Sequence, residues 1–148
     1  MPNRRVNQLC DMSALAFFKI IAETRKSKKL RKYRENEKLL ARMPGYEVKM
    51  GNGLHIGWAI EGAIGSFYKI DASYLSPHVK MAEKLEGGTK HYGVPVLISG
   101  EIRSHFSKEA ERYIRTIDIV KFKGSGQVLE LYTFDIDINE IDTDFSQK

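Results

Sequence analysis

The groups in this 148-residue chain that could hold a metal or move a proton are 19 Asp/Glu, four His and one Cys. His55, His78, His91 and His105 have no spacing that sets two of them on one helix face as metal ligands, and Cys10 stands alone. Asp135 and Asp137 alternate along a predicted strand, a spacing that can help to hold a cation. At the exposed end of a last strand, solvation is the commoner fate of such a pair. The glycine-rich runs GAIGS and KGSG lack the Gly-Lys-Ser/Thr ending of a Walker A loop. No G-x-S-x-G elbow occurs, and no G-x-G-x-x-G lies between a strand and a helix. Residue chemistry alone leaves a soluble α+β domain of unstated activity.

Charge is unevenly spread. Residues 1–50 hold 13 Lys/Arg against 5 Asp/Glu, whereas the other 98 hold 11 against 14. Most of the excess lies in RKSKKLRKYR, Arg25 to Arg34. Such a cluster can meet phosphates of nucleic acid or an anionic membrane. It also suits a solvated helix face, with Glu23, Glu35 and Glu37 close by. No nucleic-acid motif accompanies it, so no nucleic-acid partner is expected. No run approaches the roughly 18 apolar residues of a membrane segment, and no signal peptide is evident. One cysteine forms no internal disulfide, which fits a reducing compartment and makes the cytoplasm the expected location.

The elements that must position these groups follow from hydropathy period. Met12 to Thr24 reads as an amphipathic helix with Leu15, Phe17, Phe18, Ile21 and Ala22 on its apolar face. Lys28 to Met43 reads as a second, polar helix anchored by Leu30, Tyr33, Leu39 and Leu40, ended by Pro44-Gly45. Tyr46 to Trp58 alternates as a strand interrupted at Gly51-Asn52-Gly53, and Ala59 to Ile64 forms another with a bend at Glu61-Gly62. After a loop of small and turn residues, His78 to Tyr92 is helical, with Val79, Ala82 and Leu85 on one face, and Gly93-Val94-Pro95 stops it. Val96 to Ser99 is a short buried strand, and Ser99 caps a helix running to about Phe106. Tyr113 to Lys123 and Val128 to Asp135 are the closing strands. The acidic segment 137–148 is expected to be a disordered tail behind a domain spanning 1–136. Helices interleave with hairpins and no regular βαβ repeat occurs, which is an α+β pattern.

Three blocks carry a resemblance: GLHIGWAIEGAIGS (Gly53 to Ser66), KIDASYLSPHVKMAEKLEGGTKHYGVPVLIS (Lys69 to Ser99) and IDIVKFKGSGQVLELYTFDI (Ile117 to Ile136). In order and spacing they resemble the C-terminal part of the class III adenylate/guanylate cyclase catalytic domain. The resemblance implies a ferredoxin-like nucleotide-cyclase fold, N-terminally truncated, whose mainly antiparallel sheet carries helices on one side. It implies a family activity, conversion of a nucleoside triphosphate to a 3′,5′-cyclic monophosphate and pyrophosphate. Catalysis there depends on two Mg²⁺ or Mn²⁺ ions held by an aspartate pair. Those aspartates precede the helix that begins near Met12, and residues 1–11 cannot supply their two strands, so no metal is expected on this chain alone.

The resemblance also assigns positions. The family's V-N-x-A-x-R reads VKMAEK here, placing Lys80 where an Asn orients ribose and Lys84 where an Arg stabilises phosphate charge. Lys80 cannot accept a hydrogen bond, and Lys84 lacks the planar fork of Arg. Lys123 falls on the phosphate-binding lysine of V-K-G-x-G. Asp71 is the nearby acid for an adenine amino group, although strict counting puts Ser73 at that base-reading position. ATP is expected rather than GTP, with a homo- or heterodimeric partner cyclase domain, since sites of this class form at a dimer interface. The expected behaviour is a module inactive alone. A competent half of a heterodimer and a non-enzymatic basic interaction module are the alternatives.

Overall fold

A computed structural model describes residues 4–121 and 128–142. Helix α1 (Arg4–Lys26) starts eight residues before the expected Met12, because nothing in RRVNQLCD breaks a helix and Val6 already packs on the core. Its buried row is Cys10, Ala14, Phe18 and Ala22, spaced one turn apart. The expected second helix is two helices, α2 (Lys28–Arg34) and α3 (Glu37–Arg42). Asn36 divides them: its side chain accepts the N–H groups of Lys38 at 3.0 Å and Leu39 at 3.2 Å, and so starts a new helix.

Strand β1 is Asn52–Leu54, the glycine-flanked stretch expected to interrupt a strand, while Tyr46–Met50 forms no strand. The glycine is required by the helix above it. A Cβ on Gly53 would lie 2.3 Å from the carbonyl oxygen of Ala82 and 2.6 Å from the nitrogen of Glu86. β2 (Ile60–Ser66) and β3 (Lys69–Leu75) make an antiparallel hairpin of their own, in unbroken register from Ile60↔Leu75 to Ser66↔Lys69. The bend expected at Glu61-Gly62 is therefore absent, and the expected loop contains a strand. Nor do residues 60–64 join the main sheet.

Helix α4 (Pro77–Tyr92) has Pro in its first turn and Ser76 as N-cap, whose Oγ accepts the His78 N–H at 2.9 Å. β4 (Val96–Ser99), α5 (Gly100–Arg103), α6 (Lys108–Glu111), β5 (Ile114–Lys121) and β6 (Val128–Phe134) complete the described elements. The main sheet has the order β1-β4-β6-β5, parallel between β1 and β4 and antiparallel elsewhere. The helix expected to run from Ser99 to Phe106 stops at Arg103, and the Ser99 side chain caps nothing.

Side chains alternate across this sheet. Val96, Ile98, Tyr132 and Phe134 face α1, where Phe18 and Phe106 each meet the Phe134 ring edge-on at 5.3 Å. Leu97 and Leu131 face the other way, onto Leu85 of α4. Helices thus cover both faces rather than one side. The reason lies in β4, whose four residues are all buried and so need an apolar layer above and below. Beyond β6, Ile136 and Ile141 return across the α1 face, and Lys26 Nζ donates to the Ile141 carbonyl at 2.8 Å.

Candidate functional site

Helix α4 carries two of the expected site residues. Lys80 and Lys84 are one turn apart, hence on one face, and both are exposed. Lys84 also borders a cavity of about 460 Å³ between α4 and the β5–β6 pair. Leu85, Leu97 and Leu131 form its floor, and His91 and Tyr92 continue its rim. The Tyr92 hydroxyl donates to Asp118 Oδ2 at 2.7 Å. That bond raises the phenol pKa and is the first cause holding the Asp118 carboxyl below its usual value, helped by its bond from the Ile119 N–H and the nearby His91. An apolar floor with the Lys84 ammonium on its rim suits an anion that carries a flat or apolar body. Lys123 lies outside the described residues.

Asp71 lies elsewhere. It sits on β3 opposite Ile64, ion-paired with Lys69 at 3.0 Å and exposed. Ser73, opposite Gly62, is nearer the hairpin base and half-buried. From Asp71 to Ser76, the N-cap of α4, the strand runs about 16 Å. Among the described residues that line the cavity beside Lys84, neither Asp71 nor Ser73 occurs.

The metal pair that the resemblance implies does not fit the carboxylates present. Asp11 Oδ1 accepts the Ser107 N–H at 3.1 Å and ties α1 to the loop before α6. Asp135 is gripped by Arg115 Nε at 3.0 and 2.8 Å, and Asp137 Oδ1 accepts from Asn139. Among the described residues no three His, Cys, Asp or Glu side chains converge.

One constellation was invisible to sequence spacing. His55, just after β1, and His78, in the first turn of α4, stack at 5.0 Å and share an Nε2···Nδ1 hydrogen bond of 2.8 Å. His55 Nδ1 bonds Ser99 Oγ at 2.7 Å, which is why that hydroxyl is not a helix cap. The His55 side chain is 4% exposed. Burial lowers its pKa, against the raising effect of Glu101 and with a further lowering by His78. Trp58 lies edge-on to His78 at 5.9 Å, and Ser76 Oγ donates to the Trp58 carbonyl at 2.6 Å. This cluster clamps the base of the hairpin to the sheet. The one sequence signal was Gly57, where a Cβ would lie 2.1 Å from His78 Cγ. Buried Ser99 is unavailable as a nucleophile.

The hairpin itself stands clear of the body. Ile60, Ile64, Ile70, Tyr74 and Leu75 are more than half exposed, and Phe67 and Tyr68 at its tip are 96% and 94% exposed. An apolar arm of this kind marks an interaction surface.

No family model matches the chain. Over 86 residues, 57% of this chain and 17% of the relative, it is 31% identical to a protein named adenylate cyclase from Anabaena cylindrica. Over 80 residues, 54% of this chain and 12% of the relative, it is 31% identical to adenylate cyclase 1 of Rhizobium meliloti (strain 1021). The chain thus spans less than a fifth of either relative's length. Its fold is similar to that of a bacterial light-regulated adenylyl cyclase, with a TM-score of 0.64 and 23% identity over 87% of this chain and 34% of that one. A second structure of such a protein gives 0.62 and 24% over 86% and 33%. The resemblance to adenylate cyclases of class III is borne out in sequence, and the α+β cyclase fold in structure. No helix among the described residues is long and apolar enough to cross a membrane.

Proposed function

We propose that this chain is a nucleotide-cyclase module that is inactive alone and works paired with a second cyclase domain, its own copy or another chain. The arm carries this reading. Four aliphatic side chains and three aromatics of β2–β3 and its tip face water in the single chain, a surface that needs a partner to be buried. In the pair, Lys84 and Lys123 contact nucleotide phosphates as point charges. The partner supplies the metal-binding carboxylates that the described residues lack. Pairing is also what would carry the base-reading residue on the arm, Ser73 or Asp71, to a site its own α4 does not share. The nucleotide is ATP, in keeping with the names of both relatives, and the module acts in the cytoplasm.

The test is cyclic AMP formation by the purified chain, by a cyclase domain with intact metal-binding carboxylates and a partial defect in its own phosphate contacts, and by their mixture. The chain alone gives no product with magnesium or manganese, and the mixture exceeds that domain alone. Turnover by the chain alone refutes the first half of the reading. A mixture that forms a complex without gaining activity refutes the second and makes the chain a non-catalytic partner, a role favoured by Lys80, which cannot accept the hydrogen bond that an Asn accepts.

A further inference from the structure

A second cavity, of about 490 Å³, opens at the far end of α1. Its apolar wall includes Ile21, Val48, Met50 and Pro95, and its mouth carries Arg25, Lys49 and Lys90. Among the described residues that line it, Glu47 is the one acid. It faces Arg25 and Arg34 at 3.9 Å and Lys49 at 4.0 Å, so a single carboxylate is shared among three cations. Arg34 belongs to α2 and also donates to the Arg25 carbonyl, which seats the α2–α3 pair beside the cavity mouth.

That helix pair has no buried residue. The segment from Arg25 to Met43, from the end of α1 through this pair, holds nine Lys/Arg and two Asp/Glu, with Tyr33 and Met43 exposed among them. A solvated helix face accounts for the charges, but not for an apolar cavity rimmed by further cations at the same end of the molecule.

We infer that the α2–α3 helices and the cavity beside them form a docking surface for a membrane of anionic phospholipid. The lysines and arginines meet the negative headgroups. Tyr33, Met43 and the cavity receive apolar groups at the interface. Two weak signals of this kind together give stable but reversible attachment. A nucleic-acid surface uses the same charges but has no use for the apolar elements, and α2 is about 10 Å long, short for a helix that reads a groove. The inference stands on this surface alone and does not depend on the cyclase reading.

The experiment is sedimentation of the intact chain with phosphatidylcholine vesicles, with and without phosphatidylserine. Binding requires phosphatidylserine and weakens steeply between about 0.1 M and about 0.5 M salt. Replacing Lys28, Lys29, Arg31 and Lys32 together by Glu lowers the affinity at least about a hundredfold. These side chains are exposed, and an unchanged melting curve confirms that the variant folds. Lys108→Glu with Arg112→Glu, near the other end of α1, leaves binding within about threefold. Tyr33→Ser with Met43→Ser weakens vesicle binding while keeping every charge. Absence of binding to phosphatidylserine vesicles at low salt overturns the inference. So does duplex DNA binding that exceeds vesicle binding and is indifferent to the Tyr33 and Met43 changes, which assigns the surface to nucleic acid.

Discussion

Histidine 55 shows how one residue can hold a fold and set its pH range. Its neutral ring sits between the Ser99 hydroxyl and the His78 ring, and burial disfavours its charged form. An unfolded His binds its proton near pH 6.5, whereas the folded one binds only at lower pH. The unfolded state therefore holds more protons as pH drops, and stability present above pH 6.5 is lost as pH falls from there towards the folded pKa. Urea denaturation at a series of pH values should show this loss, and His55→Asn should flatten it relative to the native chain. An equal pH slope in both proteins rules out the role. Gly53 is a steric case. Gly53→Ala forces a methyl group into the backbone of α4, and about 2–3 kcal/mol of stability should disappear. A loss below about 0.5 kcal/mol shows that α4 can move away freely.

At the scale of elements, legibility followed the locality of the signal. α4 was readable almost to the residue, because its cap, its first-turn Pro and the Gly93 that ends it are all local. β4 was readable as a short apolar run. β1 was not, since Gly51-Asn52-Gly53 reads as a turn, and only the nearness of α4 explains glycine inside a strand. β3 was missed for a related reason: an exposed hairpin has no buried face, so its sequence carries no strong alternation. Lys80 and Lys84 were singled out through family resemblance and share one face of α4, whereas the cavity beside Lys84 could not be read from sequence. The His55–His78 pair joins positions 23 residues apart, a distance at which no local pattern operates. The arm gives this scale its own prediction. Phe67→Ser with Tyr68→Ser removes two almost fully exposed rings that meet each other edge-on at the tip. Chain stability should stay within about 0.5 kcal/mol. Association with a second cyclase domain, followed by analytical ultracentrifugation, should weaken at least about tenfold if these rings are interface anchors. Unchanged association places the interface elsewhere on the molecule.

At the scale of the whole molecule, one sheet holds α1 on one face and α4 on the other, and the two layers have separate tasks. The α1 layer supplies stability: Phe18, 3% exposed and edge-on to Phe134, should cost about 3–5 kcal/mol when cut to Ala. The α4 layer carries Lys80 and Lys84, which in the proposed pair would meet what the partner brings. If that is a nucleotide, restoring Asn and Arg at those positions has a calculable consequence. Arg binds phosphate oxygens at two points, whereas Lys acts as a point charge. One such contact strengthened in the transition state is worth about 10²–10³ in rate. The doubly substituted chain, Lys80→Asn with Lys84→Arg, should therefore raise cyclic AMP formation towards that range when paired with a domain carrying intact metal-binding aspartates. Lys123→Ala in the repaired protein should then lower activity by a similar factor. Should the complex form at full strength with no gain from the double substitution, Lys80 and Lys84 do not face a nucleotide. The chain then shares the cyclase fold and its pairing without a part in the chemistry.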